Sequence, residues 1–249
     1  MQRDKLRKAL VELKKAQEQL IAAEKYKQAK DIAGGVAHEI HNALSPALNS
    51  LDKLQQVLLA TETTDPERIG RLLNLIERSL MRANNMTELV NRYSRLEAEK
   101  KGEPVDLNSI FEEIAGDNRE RLEKLKVKFD LVIPRDLKIS CYKPHAYSLF
   151  NNLLLNSLDA VSGTDGQTIR AVARGENRKV RIEFSDSGPG IPVEDLPRIF
   201  DAFYSTRPST GTGLGLAMVR KIVELYDGQI EVESVLDKGA KFTILLPAG

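Results

Sequence analysis

The chain has 249 residues, 41% of them hydrophobic and 29% charged, with a net charge of +1. That is the balance of a soluble globular protein with room for one large core or two ordinary ones, and no global charge points to nucleic acid or an acidic substrate. The single cysteine, Cys141, excludes an intrachain disulfide, and no run approaches the ~20 apolar residues of a membrane span.

Residues 1–30 are charged and lack Gly and Pro; Leu6, Leu10, Leu13 and Leu20 fall at heptad spacing, interrupted at Gln17 and Glu24. This predicts a coiled-coil helix that pairs with its copy. The stripe continues as Ile40, Leu44, Ala47, Leu51, Leu54 and Leu58. TETTDP at 61–66 interrupts it, with Asp65 and Pro66 supplying N-cap and first-turn chemistry. A second stripe follows: Ile69, Leu73, Ile76, Leu80, Ala83 and Val90. Residues 31–99 therefore read as a helical hairpin. Two helices bury little, so a homodimer forming a four-helix bundle is expected. Pro46 lacks the N–H that the Asn42 carbonyl would use, so a bend is expected beside it.

KKGEPVD at 100–106 reads as a linker. Beyond it, 107–249 shows helix signals at 107–125, 143–162 and 212–226. Strand alternation appears in KVKFDLVI, TIRAVAR, KVRIEF, QIEVES and KFTILL. The expected fold of this part is an α+β sandwich, an antiparallel or mixed sheet with helices on one face. Cys141, in the run LKISCY, reads as a small buried hydrophobe.

Four motifs follow in order. In NNLLLNSLDA (151–160), Asn152, Asn156 and Asp159 share one helix face, giving oxygen donors suited to a hydrated hard cation such as Mg²⁺, or simply a solvated polar face. In FSDSGPGI (184–191), a strand leads Asp186 into Gly188-Pro189-Gly190, where a buried carboxylate needs a donor: an adenine amino group or a structural backbone N–H. IFDAFYSTRP (199–208) joins Phe200 and Phe203 to Ser205, Thr206 and Arg207, with Arg207 available to a phosphate. GTGLGLAMVRKIV (211–223) sets three alternating glycines before an amphipathic helix, which favours an anion. It is neither a Walker loop nor a Rossmann fingerprint.

In this order the four motifs resemble the asparagine box, first glycine box, phenylalanine box and second glycine box of the histidine kinase ATP-binding domain, of Bergerat (GHKL) fold. The resemblance implies ATP and Mg²⁺, with Asn156 on the metal, Asn152 beside the phosphates, Asp186 on the adenine amino group, and Gly188 and Gly190 at the base. It implies Gly211, Gly213 and Gly215 around the triphosphate, under a short lid between Phe203 and Gly211. Ile191, Phe203, Thr206, Thr212, Leu214 and Leu216 belong to the same cleft. Many relatives carry Lys or Arg three residues after the second box asparagine; here it is Asp159, and Arg207 is expected to take that role.

GGVAHEIHNALSP at 34–46 carries two of the three histidines. His38 and His41 stand three apart, so the HExxH zinc-protease pattern fails. HEIHN resembles instead the phosphoacceptor box HE-x-x-N of histidine kinases, extending the resemblance over about 30–249. It implies that His38 takes the γ-phosphoryl of ATP, that Glu39 orients it or accepts its proton, and that Asn42 positions a water for dephosphorylating a partner. A neutral imidazole near pH 7 is a competent nucleophile. His41 reads as a surface residue and His145 as local structure. The expected function is a protein histidine kinase that passes phosphoryl from His38 to an aspartate of a response regulator receiver domain and also dephosphorylates it. The alternatives are a GHKL ATPase or protein kinase without a phosphohistidine, or a degenerate nucleotide-binding or dimerising module. No nucleic acid or membrane contact is expected, and the location is cytoplasmic, either free or as part of a membrane-tethered sensor.

Overall fold

The computed structural model describes residues 40–42, 44–57, 65–96, 102–163, 167–206 and 213–249. The expected coil at 1–30 lies outside these residues, as do His38, Glu39, Leu58, Arg207, Gly211 and Thr212. The chain divides into two compact units between Val90 and Asn91.

The first unit holds helix α1, which covers 40–42 and 44–57, and most of helix α2, which runs Pro66–Arg95 and crosses the boundary at Asn91. α2 starts where its capping residues predict: the Glu67 N–H donates to Asp65 Oδ1 at 3.0 Å. Around Pro46 two hydroxyls bond helix carbonyls, Ser45 to His41 and Ser50 to Pro46, at 2.7 and 2.8 Å. Ala47, Ser50 and Ser79 are buried, but Leu51, Leu73 and Leu80 of the stripes are 45%, 50% and 53% exposed in the single chain. No described helix is long and apolar enough to cross a membrane.

The second unit is an α+β sandwich, a mixed sheet with helices on one face. Its elements are β1 (Glu103–Asp106), α3 (Leu107–Asp117), α4 (Arg119–Lys124), β2 (Lys128–Val132), β3 (Lys138–Cys141), α5 (Lys143–Val161), β4 (Thr168–Glu176), β5 (Lys179–Asp186), α6 (Gly215–Leu225), β6 (Gln229–Ser234) and β7 (Ala240–Pro247). The five-stranded sheet has the order β2-β4-β5-β7-β6. β2 pairs parallel to β4, which the crossover through α5 permits, and the other pairs are antiparallel. β4 turns into β5 through Asn177-Arg178, both at positive φ, the two-residue turn that suits strand twist.

Alternation places Ile169, Ala171, Ala173, Val180, Ile182, Phe184, Phe242, Ile244 and Leu246 in the core, together with buried residues of α3, α5 and α6. Phe111 bridges the layers, with ring centroids 4.8 Å from Phe150 and 6.4 Å from Phe184.

Three local expectations change. The helix expected over 107–125 breaks at Asn118, whose backbone and side-chain N–H groups both donate to the Ile114 carbonyl. Gly116, Asp117 and Asn118 in succession are poor helix formers. The stretch read as linker holds strand β1, paired with β3, with Val105 opposite Ile139. α6 starts at Gly215, not 212, because Gly213 takes φ +65°, outside the helical range.

Cys141 is buried as expected, and its thiol is pushed up to about 12; desolvation outweighs the hydrogen bonds it receives, chiefly from Tyr226. His145 is also local structure: its buried Nδ1 lies 2.9 Å from Tyr226 Oη, which accepts the Tyr142 N–H at 3.1 Å. At pH 8 the native thiol is expected to alkylate about a thousandfold more slowly than a free cysteine, and to react fully in denaturant. Iodoacetamide labelling followed by mass measurement checks this; equal native and denatured rates would refute it.

Candidate functional site between α5, β5 and α6

α5 presents Asn152 and Asn156 one turn apart. Asn152 Nδ2 donates to the Ser148 carbonyl at 2.7 Å, which leaves Oδ1 directed elsewhere. Asn156 Nδ2 is buried without a hydrogen-bond partner. A buried unpaired amide N–H is costly and calls for an acceptor, such as a water or a ligand oxygen. The start of α6 stands against both: a Cβ on Gly215 would come within 3.3 Å of Asn152 Oδ1 and 3.5 Å of Asn156 Nδ2. Glycine is therefore what leaves space between the asparagines and the N-terminus of α6.

Asp186 ends β5. Its Oδ1 accepts the Gly188 N–H at 2.9 Å and its Oδ2 accepts the Ser157 hydroxyl at 3.2 Å. Burial raises its pKa above the usual carboxylate range, opposed by Gly188, Ser157 and the backbone at Ala240. A Cβ on Gly188 would stand 2.9 Å from Asp186 Oδ1 and 3.0 Å from Ala160 Cβ, so this glycine keeps the carboxylate end of the cleft open.

The β6–β7 turn braces the first glycine box. Ser234 Oγ accepts the Ile191 N–H and donates to the Gly239 carbonyl, both at 2.8 Å, and the Asp237 N–H donates to the Pro189 carbonyl at 2.8 Å. Gly190 has φ +76° and lies against Val235; Gly239 has φ +86° and lies against the Asp186 carbonyl.

The base of the expected lid is closed by backbone. The Phe203 N–H donates to the Gly213 carbonyl at 2.9 Å, with Phe203 at φ +67° and Gly213 at +65°. A Cβ on Gly213 would stand 2.4 Å from the Phe203 carbonyl carbon. Arg198 lies over the Tyr204 ring at 4.5 Å, and the Tyr204 hydroxyl donates to Asp195. Thr206 is exposed, Leu214 buried and Leu216 half-buried.

One cleft thus gathers Asn152, Asn156, Asp186, Gly188 and Gly215. Asp159 is engaged by Arg121 of α4, whose guanidinium donates to its Oδ1. Asn42 and His41 are exposed on α1, in the other unit. The sequence reading missed Ser157, Ser234, Gly239 and Arg121. Ser157 lies inside a motif already singled out, and Gly239 in LDKGAKF has the composition of a hairpin turn.

Residues 142–249 match the family model described as histidine kinase-, DNA gyrase B- and HSP90-like ATPase. The chain is 32% identical over 238 residues to the sensor histidine kinase ZraS of Klebsiella oxytoca, covering 94% of this chain and 49% of ZraS. It is 29% identical over 239 residues to the sensor protein ChvG of Agrobacterium fabrum, covering 88% of this chain and 39% of ChvG. Over most of its length the chain is similar to the catalytic cores of these sensor histidine kinases.

The chain spans less than half the length of these two relatives. Its fold is shared with histidine kinase ThkA, solved in complex with the response regulator TrrA, at TM-score 0.74 and 23% identity over 91% of this chain and 64% of that one. The cleft between α5, β5 and α6 lies within the residues that match the ATPase family model.

Proposed function

We propose that this chain is an ATP-dependent protein histidine kinase that phosphorylates itself on His38 and passes the phosphoryl group to an aspartate of a response regulator receiver domain. The observation that carries this is the cleft with its unpaired Asn156 amide, on a chain that also holds HEIHN. Asp186 accepts the adenine amino group, while Asn152 and the N-terminal amides of α6 face the phosphates. Asn156 would help to hold Mg²⁺ through its Oδ1. Among the described residues no group of three or more His, Cys, Asp or Glu could hold a metal, and Mg²⁺ characteristically takes few of its ligands from protein. When bound, Mg²⁺ neutralises charge developing on the transferring group.

The neutral imidazole of His38 attacks the γ-phosphorus, an N–P bond forms as the bond to the ADP oxygen breaks, and Glu39 takes the remaining ring proton. An aspartate carboxylate of the regulator then displaces the imidazole, and Asn42 positions water for the reverse, hydrolytic role. The exposed Leu51, Leu73 and Leu80 support a homodimer, since two hairpins bury them in one four-helix bundle. The chain works in the cytoplasm.

Incubation with γ-³²P-ATP and Mg²⁺ is expected to give acid-labile, alkali-stable label in the parent and none in His38→Gln. ATP hydrolysis without label would favour a GHKL ATPase; nucleotide binding alone would favour a degenerate module.

A further inference from the structure

The face of α5 that carries Asn152 and Asn156 ends in a carboxylate, Asp159, where an anionic ligand calls for a cation. The fold supplies one from elsewhere. α4 lies beside α5: Asn118 at its N-cap donates to Asn151 at 3.0 Å, and Arg121, one turn on, reaches across to Asp159. Asp159 is three residues from Asn156, so the two side chains are helix-surface neighbours about 5–6 Å apart at Cβ. The guanidinium bonded to Asp159 therefore borders the asparagine face. The pair is not sealed in the core: the Arg121 and Asp159 side chains keep 40% and 45% exposure. A carboxylate occupies one edge of the guanidinium, and a planar fork has further N–H donors for a second oxyanion.

We infer that Arg121, held in place by Asp159, is a phosphate-positioning residue of the ATP site, contributing from α4 the positive charge that the asparagine face of α5 lacks. This rests on the nucleotide reading above and adds its phosphate contact. Asp159 orients the guanidinium and also tempers its charge. The two single substitutions therefore have opposite signs, which a purely structural ion pair does not produce.

The test is calorimetric titration of the full chain with Mg-ATP and, separately, adenosine. Arg121→Ala is expected to weaken ATP binding about tenfold, as for one charge-assisted contact, with adenosine affinity unchanged. The isosteric Asp159→Asn keeps an acceptor for Arg121 while removing the opposing charge, and is expected to tighten ATP a few-fold, again leaving adenosine unchanged. An unchanged ratio of ATP to adenosine affinity in both variants would overturn the inference, as would weaker ATP binding in Asp159→Asn. If Arg121→Ala fails to fold, Asp159→Asn decides alone. Failure of the parent to bind Mg-ATP would instead refute the nucleotide reading itself.

Discussion

Asp186→Asn is expected to fold like the parent and to bind ATP about a hundredfold more weakly, a loss of about 2.7 kcal/mol for a charge-assisted hydrogen bond replaced by a mismatched one. Folding survives because the amide is isosteric and both existing partners can be kept: its oxygen accepts the Gly188 N–H and its NH₂ donates to Ser157 Oγ. Binding suffers because one of the two acceptor atoms becomes a donor, facing the donating adenine amino group. Guanine carries a carbonyl there, which a carboxylate repels and an amide NH₂ welcomes, so the preference for ATP over GTP is expected to narrow in the same variant. Titration with both nucleotides checks this; unchanged ATP affinity would remove Asp186 from the site.

The raised pKa of Asp186 adds a signature in pH. A folded-state pKa above the unfolded one contributes stability that is fully present below the ordinary carboxylate range and lost as pH rises through the raised value. The carboxylate is therefore held at a cost in the nucleotide-free protein. Nucleotide affinity has the opposite slope, falling as acidification protonates the acceptor from above that range. Asp186→Asn is expected to abolish both slopes.

Gly239→Ala is expected to cost about 3 kcal/mol or more of stability, because a non-glycine residue is forced to positive φ and the backbone must also move. At φ +86° an added Cβ would lie 1.8 Å from the Asp186 carbonyl oxygen, far inside contact distance, and what must shift is main chain of β5. The same displacement reaches Ser234, which joins the Gly239 carbonyl to the Ile191 N–H. ATP affinity should therefore fall with stability, unlike the isolated binding loss of Asp186→Asn. Chemical denaturation with parallel nucleotide titration distinguishes them; a Gly239→Ala variant as stable as the parent would contradict the described turn.

Much of the fold was legible because its signals are local. Asp65-Pro66 starts α2 through hydrogen bonds within one turn. The alternation in β4, β5 and β7 reports a sheet with one buried face, and helix periodicity places Asn152 beside Asn156 on α5. What escaped is what depends on partners distant in the chain. β1 and β3 have four residues each, too few for a period, and exist because they pair with one another. The residue holding Asp159 lies 38 positions away on a helix whose start depends on the break at Asn118.

The amino-acid sequence by itself determined two helical stripes, the HEIHN stretch and an α+β part with four motifs in order, since side-chain spacing along one helix, strand or turn sets these. Only the tertiary structure decided which atoms are left unpaired and which charges meet: the Asn156 amide without a partner, the Asp186 carboxylate raised by burial, Gly239 against β5, and Arg121 brought to Asp159. The physical reason is that desolvation and hydrogen-bond satisfaction belong to the packed neighbourhood and not to the residue, so they exist only once distant segments have been brought together.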